Sequence, residues 1–456
     1  MRLRILFSGI VLYDTVVVTA KETKEERLIE SWGKYPPCES SRRICLSDTT
    51  IRHEMLQAPE VIPFGNGRSY GDSALSDTGV ALSKVSQMID FDPEKGVLKV
   101  SSDILLSQVI EHCIPLGWFL AVTPGTKEIT VGGAIASDVH GKGHYQSGCF
   151  SAYVKTFSLL LPDGEILQCS PTENVDYFVA TCGGMGLTGV ILDAELSLKR
   201  ISSQHIHQKT LKVQGIAELL DTFEQNLESP YAVAWLNCVE PKRVGQGIVT
   251  LGHFCDDQDL NYRPQGKRAL PTLPYHWFLQ KPLIRIFNWL YFHKRRHLSE
   301  HKVDIDTFFY PLDAVANWNV LYGTRGMIQY QFVVPLEESQ KALAEVLREV
   351  AESDFSANLA VLKRHGPANA NWLSFPLEGY SLALDFKYSH KLLEFLEYLD
   401  TIVLRYRGRF YLAKDARVRQ GVFERGYPMV AKFRDFRDSK GLRTRFNSLQ
   451  SKRLML

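Results

Sequence analysis

The stretch VIPFGNGRSYGDSAL, residues 61–75, begins as a buried strand and then breaks into glycines around a single arginine. An apolar run stopped by Gly65 and Gly67 reads as a strand feeding a tight loop, because glycine lets a backbone come close to a ligand. The spacing excludes a dinucleotide fingerprint of the Rossmann kind. That motif needs G-x-G-x-x-G opening a helix, with an acid about 20 residues later for the ribose. Here Gly65 and Gly67 are followed by Gly71, one residue too late, and Asp72 comes at once. Successive backbone N–H groups in such a turn still make a cradle for an anion. The stretch therefore predicts a phosphate loop of another architecture.

Two more glycine-dense segments follow, TPGTKEITVGGAIASDVHGKGHYQSG (123–148) and ATCGGMGLTGV (180–190), each beside a strand pattern. Three such strings within about 130 residues point to a long ligand approached by the backbone several times. Between them GVLKVSSD (96–103) reads as a strand and ILLSQVIEHCIPLGW (104–118) as a helix with Leu105, Val109, Ile110 and Cys113 at helical spacing. TFSLLLPDGEILQCS (156–170) reads as a hairpin around Asp163-Gly164, and GVILDAELSLKRI (189–201) alternates and closes the region. A second region carries the amphipathic helix patterns 337–353 and 390–408 and the strand runs 327–335 and 380–388. With 456 residues, 45% of them apolar and 23% charged, the chain reads as two globular domains of α+β class.

A formal charge of +2 gives no global reason to invoke nucleic acid. The eight cysteines contain no C-x-x-C pair and no metal-ligand spacing with histidine, so they read as reduced, buried thiols of a cytosolic-type protein without a metal site. The N-terminal run ILFSGIVLYDTVVVTA (5–20) resembles a weak signal sequence, but Asp14 interrupts it and 16 residues are too few to span a bilayer. A short strand or helix, or an extended start, fits the same residues.

The motifs G-N-G-R-S-Y-G-D, P-G-T, V-G-G-A-I-A-S-D-V-H-G-K and G-G-M-G-L-T-G resemble the FAD-binding p-cresol methylhydroxylase and vanillyl-alcohol oxidase superfamily, and within it the oxidases of polyprenylphosphoryl pentoses. The resemblance runs from about residue 28 to the end. It includes 309–335, 372–386 and 409–418. It implies an N-terminal extension over 1–27, an FAD-binding domain over 28–200, a substrate domain over 201–405 and a C-terminal segment, 406–456, that returns to the FAD domain. Arg68 stands where many superfamily members carry a flavin-linked histidine, so the resemblance implies FAD held without a covalent bond. Carried over residue by residue, it implies FAD contacts at Asn66, Gly67, Arg68, Ser69, Tyr70, Gly71, Asp72, Gly125, Thr130, Val131, Gly132, Gly133, Ser137, Asp138, Val139, His140, Ile191 and Tyr411.

Oxidising a secondary alcohol with a flavin requires a base for the hydroxyl proton and donors or positive charge near the flavin. The resemblance puts Lys414, His140, Gln331 and Tyr310 in catalytic positions, and Lys142, Gln329, Lys363 and Asp385 at the substrate. A desolvated Lys414 is usable as the base, and Lys142 and Lys363 suit a substrate phosphate as point charges. Gln329 and Gln331 share one side of a strand. Some members of the family carry a cysteine where this chain has Ala383. Since that thiol is neither hydride donor nor base, turnover should survive its absence, whereas inhibition by thiol-trapping agents should not.

Residues 263–296 hold eight Lys or Arg and no Asp or Glu, interleaved with Trp, Phe and Tyr. Such a segment suits an anionic membrane surface or a polyprenyl-phosphate, and a basic face on a buried aromatic helix has the same signature. The resemblance implies oxidation of the 2'-hydroxyl of a polyprenylphosphoryl-ribose, at the cytoplasmic or peripheral inner-membrane surface or in the cell envelope. It would be the first half of a 2'-epimerisation supplying an arabinose donor. A separate NAD(P)H-dependent reductase would complete it. The alternative is a sugar or aldonolactone oxidase with a soluble substrate.

Overall fold

The computed structural model describes residues 27–38, 40–45, 47–84, 89–270, 275, 279–294 and 297–456. The signal-like run at 5–20, with all of 1–26, lies outside them, as do 271–274, 276–278 and 295–296 of the basic-aromatic stretch. Four sheets are present among the described residues. Strands β1 (Arg27–Ile29), β2 (Ser40–Cys45), β3 (Val61–Pro63) and β4 (Val80–Lys84) form the first, in the order β1-β2-β4-β3, with β4 parallel to both neighbours. The second is antiparallel, β5-β6-β10-β8-β9, from β5 (Ile89–Asp92), β6 (Val97–Ser101), β8 (Val154–Leu160), β9 (Ile166–Cys169) and β10 (Val190–Ser197). β7 (Trp118–Phe119) and β11 (Lys199–Arg200) make a two-stranded ladder.

The expected hairpin is β8–β9, with Leu160 opposite Ile166 and Gly164 at φ +86° in the turn. The expected helix is shorter than 104–118. It spans Leu106–Cys113, because the Leu105 N–H is taken by the Gln108 side chain at 2.9 Å, and Leu105 becomes the cap. Leu106, Val109, Ile110 and Cys113 supply its buried face, packed with Leu98 and Val100 of β6.

The largest sheet is antiparallel and eight-stranded, in the order β15-β12-β14-β13-β17-β18-β16-β19. Its strands are β12 (His205–Val213), β13 (Tyr231–Leu236), β14 (Gly247–Phe254), β15 (Ser299–Asp304), β16 (Met327–Pro335), β17 (Ala357–His365), β18 (Gly379–Lys387) and β19 (Arg409–Phe410). Alternation along these strands separates two faces. Phe332, Val334, Leu362, Leu382 and Leu384 pack into one cluster with Leu343 and Val346 of the helix Ser339–Glu352 and Leu399 and Val403 of the helix His390–Arg405. The alternate residues Gln331, Val361, Lys363, Ser381 and Ala383 face a cavity instead.

The C-terminal segment ties the sheets together. β19 closes the edge of the eight-stranded sheet beside β16. Farther on, the Val61 N–H donates to the Arg445 carbonyl at 2.8 Å, and the buried Arg437 donates to the Leu187 carbonyl at 3.0 Å. Among the described residues no helix is long and apolar enough to cross a membrane, and Cys45, Cys113, Cys149, Cys169, Cys182, Cys238 and Cys255 are free thiols.

Candidate active site

A cavity of about 1300 Å³ lies between the loops of the first two sheets and the open face of the eight-stranded sheet. All three glycine strings reach it. Gly65, Gly67, Gly125, Gly132, Gly133, Gly186 and Gly189 line its wall. Two of these show why glycine is needed. Gly67 sits at φ +60°, a left-handed conformation costly for other residues, and a Cβ on Gly65 would lie 2.5 Å from Thr130 Oγ1. Thr130 caps the helix Val131–Ala136, its Oγ1 accepting the Gly133 N–H at 3.1 Å.

Of the expected cofactor contacts, Asn66, Gly67, Arg68, Ser69, Tyr70, Gly125, Thr130, Gly132, Gly133, Ser137, Val139, His140, Ile191 and Tyr411 line the cavity. Gly71, Asp72, Val131 and Asp138 do not, and each has another duty. A Cβ on Gly71 would lie 1.9 Å from the Asp415 carbonyl oxygen, so this glycine serves chain-to-chain packing. Asp72 is buried against Arg453, at 2.7 and 3.0 Å. Val131 is core. Asp138 is enclosed by donors, from Asn369, Asn371 and Ser374 to one oxygen and from the Ser151 N–H to the other.

Among the expected chemical residues, Lys142, Lys363, Lys414, Gln329, Gln331 and His140 line the cavity, whereas Tyr310 and Asp385 lie behind its wall. The Tyr310 hydroxyl is bonded to Thr123 Oγ1 at 2.6 Å, which pins 309–313 to the second glycine string. Asp385 shares a row with Gln329, whose Nε2 donates to its Oδ1 at 2.5 Å and covers it from the cavity; its Oδ2 is buried without a partner. Gln329 and Gln331 face the same side, as alternation requires.

The wall is strongly cationic. Lys142 is lowered to about 7 by burial and then by Lys363; Lys363 is lowered to about 8 by burial. Lys414 lies over the Tyr70 ring, 3.6 Å from its centroid. Burial pulls its pKa down, partly opposed by Asp385, while burial pushes the Asp385 carboxyl up. Lys142 donates to the Phe308 carbonyl and sits over that ring. His140 is held far below its usual range by burial, then by Lys363, His144 and Lys414.

Sequence reasoning missed Trp235, Val361 and the apolar lining beside Gln331 and Ala383. Trp235, Val361, Ala383 and Gln331 form one row across β13, β17, β18 and β16, and all four line the cavity. Val233, Phe287, Tyr291, Val303 and Leu359 extend it as an apolar surface. Alternation about Gln331 carried a signal for Ser381 and Ala383, but nothing in the sequence paired β13 with β17. No cysteine lines the cavity among the described residues.

The cavity can hold FAD. Its glycine loops leave room for close approach, and Arg68 presents a buried Nε without a partner while its guanidinium lies 4.0 Å from the Trp32 ring centroid. Residues 57–170 match the FAD binding domain family. Together with the mixed sheets, this defines an FAD-dependent oxidoreductase of the p-cresol methylhydroxylase type. The chain is 30% identical over 454 residues to decaprenylphosphoryl-β-D-ribose oxidase of Mycolicibacterium smegmatis, covering 95% of this chain and 98% of that protein. It is therefore a member of the decaprenylphosphoryl-β-D-ribose oxidase family. It is also 30% identical over 371 residues to an uncharacterised protein of Streptomyces coelicolor, covering 77% of this chain and all of that one. L-gulonolactone oxidase of Mus musculus matches at 28% identity over 38% of each chain.

Proposed function

We propose that this enzyme oxidises the 2'-hydroxyl of a polyprenylphosphoryl-β-D-ribose, or a closely similar lipid-linked pentose, to the keto sugar, as the first half of a 2'-epimerisation in cell-envelope polysaccharide assembly. The observation that carries the reading is the mixed lining of one cavity. Lys142, Lys363, Lys414, Gln329 and Gln331 line it together with Val233, Trp235, Val361, Phe287 and Tyr291. A ligand with a hydroxylated, anionic head and an apolar tail matches both kinds of residue. The full-length match to an oxidase named for a lipid-linked ribose supports the same substrate class.

In this reading Arg68 and the glycine loops hold FAD without a covalent bond. When bound, FAD supplies the acceptor for the hydride of the alcohol carbon. Lys414 takes the hydroxyl proton at Nζ; its lowered pKa leaves part of the population neutral near pH 7. Gln329 and Gln331 orient the sugar, and Lys142 and Lys363 hold the phosphate. A separate NAD(P)H-dependent reductase would complete the epimerisation. Membrane-surface contact through 263–296 is supported by the helix Lys281–Lys294. There Leu283, Ile286, Phe287, Trp289 and Leu290 are exposed, while Ile284, Asn288 and Phe292 are buried against the protein. The aromatic residues Phe287 and Trp289 thus face outward, against the alternative of a buried aromatic helix.

The test is anaerobic. Farnesylphosphoryl-ribose should bleach the flavin band near about 450 nm, and acid precipitation should leave FAD in the supernatant. Lys414→Met should retain the flavin and bleach at least about 100-fold more slowly. Bleaching by a soluble sugar or aldonolactone instead would transfer the assignment to that substrate class.

A further inference from the structure

Asp385 is a buried carboxylate directly behind the cavity wall, and it has no role in the scheme above. In the register of the large sheet it stands between Gln329 of β16 and Leu359 of β17, and both of these neighbours line the cavity. The Leu359 side chain offers no donor. Gln329 does, its Nε2 donating to Asp385 Oδ1 at 2.5 Å. The second oxygen, Oδ2, is buried without a partner among the described residues. Burying a carboxylate on so little hydrogen bonding costs stability, so its presence here calls for an explanation.

The explanation starts from the amide that faces it. Burial raises the Asp385 pKa, and the Gln329 hydrogen bond, then Lys414, oppose the rise and favour the charged form. A carboxylate accepts hydrogen bonds and donates none, so the end of the Gln329 amide turned toward it is the nitrogen. With Nε2 held there, the amide oxygen Oε1 is turned away from Asp385, on a residue that lines the cavity. The reverse orientation would set the amide oxygen against the carboxylate, two acceptors facing each other where little water screens them. Gln331, two residues farther on the same face, also has its Nε2 engaged, donating to Ser381 Oγ at 3.1 Å.

We propose that Asp385 is a positioning residue that holds Gln329 with Nε2 toward the sheet and Oε1 toward the cavity, so that the amide oxygen accepts a hydroxyl of the sugar. This rests on reading the cavity as a sugar site, and it adds the residue that decides which hydrogen-bonding group Gln329 offers. An amide free to turn would take a donor or an acceptor; one held by Asp385 takes only a donor. The reacting 2'-hydroxyl gives its proton to Lys414, so the donor to Gln329 is another free hydroxyl of the pentose, at C3' or C5'.

A double-mutant cycle on the FAD-loaded enzyme tests this. A flavin spectrum like that of wild type certifies each fold, and Gln329→Ala stands in if leucine does not fit. With farnesylphosphoryl-ribose, Asp385→Asn keeps the shape but no longer dictates the orientation of the amide. It should raise KM about tenfold and change kcat by less than about threefold, and Gln329→Leu should do the same. In the Gln329→Leu background, Asp385→Asn should then change KM by less than about twofold, because Asp385 acts through Gln329. An effect of equal size in both backgrounds, the outcome of a packing or general charge role, overturns the proposal. In wild type either the 3'-deoxy or the 5'-deoxy analogue should raise KM about tenfold, and the same analogue should cost Asp385→Asn less than about threefold. Equal losses in the two proteins overturn the proposal as well. If farnesylphosphoryl-ribose leaves the wild-type flavin oxidised while a soluble sugar reduces it, the substrate reading falls, and the same cycle run on that sugar decides the role of Asp385.

Discussion

Lys142 and Lys363 line one cavity and have their pKa values lowered to about 7 and about 8. A bound phosphodiester stabilises the charged amines and raises both values, so above these pH values binding must draw protons from solution. Affinity for ethyl farnesyl phosphate, an unreactive phosphodiester, should be flat below about pH 7 and weaken by up to about tenfold per unit above pH 8 for each lysine involved. Titration calorimetry in buffers of different ionisation enthalpy should register the proton uptake, and Lys363→Met should flatten the profile. Heats independent of buffer would place the phosphate elsewhere. At this scale the sequence was partly legible. Lys142, Lys363 and Lys414 could be named, yet Gly71 and Asp72 could not be separated from Tyr70. Neighbours in a loop point to opposite sides, and the arginine that claims Asp72 lies 381 residues farther on.

Among the elements, the helix Lys281–Lys294 turns Leu283, Ile286, Phe287 and Leu290, spaced as one helical stripe, toward solvent, with Phe287 also lining the cavity. An apolar stripe of this kind at the edge of the cavity fits insertion into a bilayer interface. Ile286→Glu with Leu290→Glu should reduce co-sedimentation with phosphatidylglycerol vesicles by about tenfold or more, while turnover of detergent-dispersed substrate holds. Unchanged sedimentation would remove the helix from the membrane contact. The basic-aromatic composition marked this stretch, but only the fold reveals the helix within it and which of its faces is left bare. Strands behave likewise. Period-2 patterns located β16 and β18 well, since Met327–Pro335 and Gly379–Lys387 nearly match the expected runs. They could not reveal that Trp235 pairs with Val361, because pairing partners leave no local mark.

In the whole molecule, the segment around Arg453 clasps the first glycine loop. Arg453 bonds Asp72 at 2.7 Å and Asp415 at 2.9 Å, joining the loop at 65–72 to the C-terminal segment that carries Tyr411 and Lys414. The two carboxylates are almost completely buried, at 4% and 2% side-chain exposure, so the arginine is needed to neutralise them. Breaking such a cluster by removing one partner typically costs about 3–5 kcal/mol, whereas removing the opposing charge as well costs less. Arg453→Met should therefore melt lower by about 5 °C or more and release FAD more readily, and Arg453→Met with Asp72→Asn should recover part of the loss. The sign with pH follows from burial. An uncompensated buried carboxylate has its folded pKa raised above its unfolded value, so the folded state binds more protons and stability falls as pH rises. The gap between Arg453→Met and wild type should then narrow on going from pH 7.5 to pH 5.5, read as melting temperature by flavin fluorescence. A gap that widens on acidification would mean that Arg453 acts through packing of its stem, and the electrostatic clasp would be wrong.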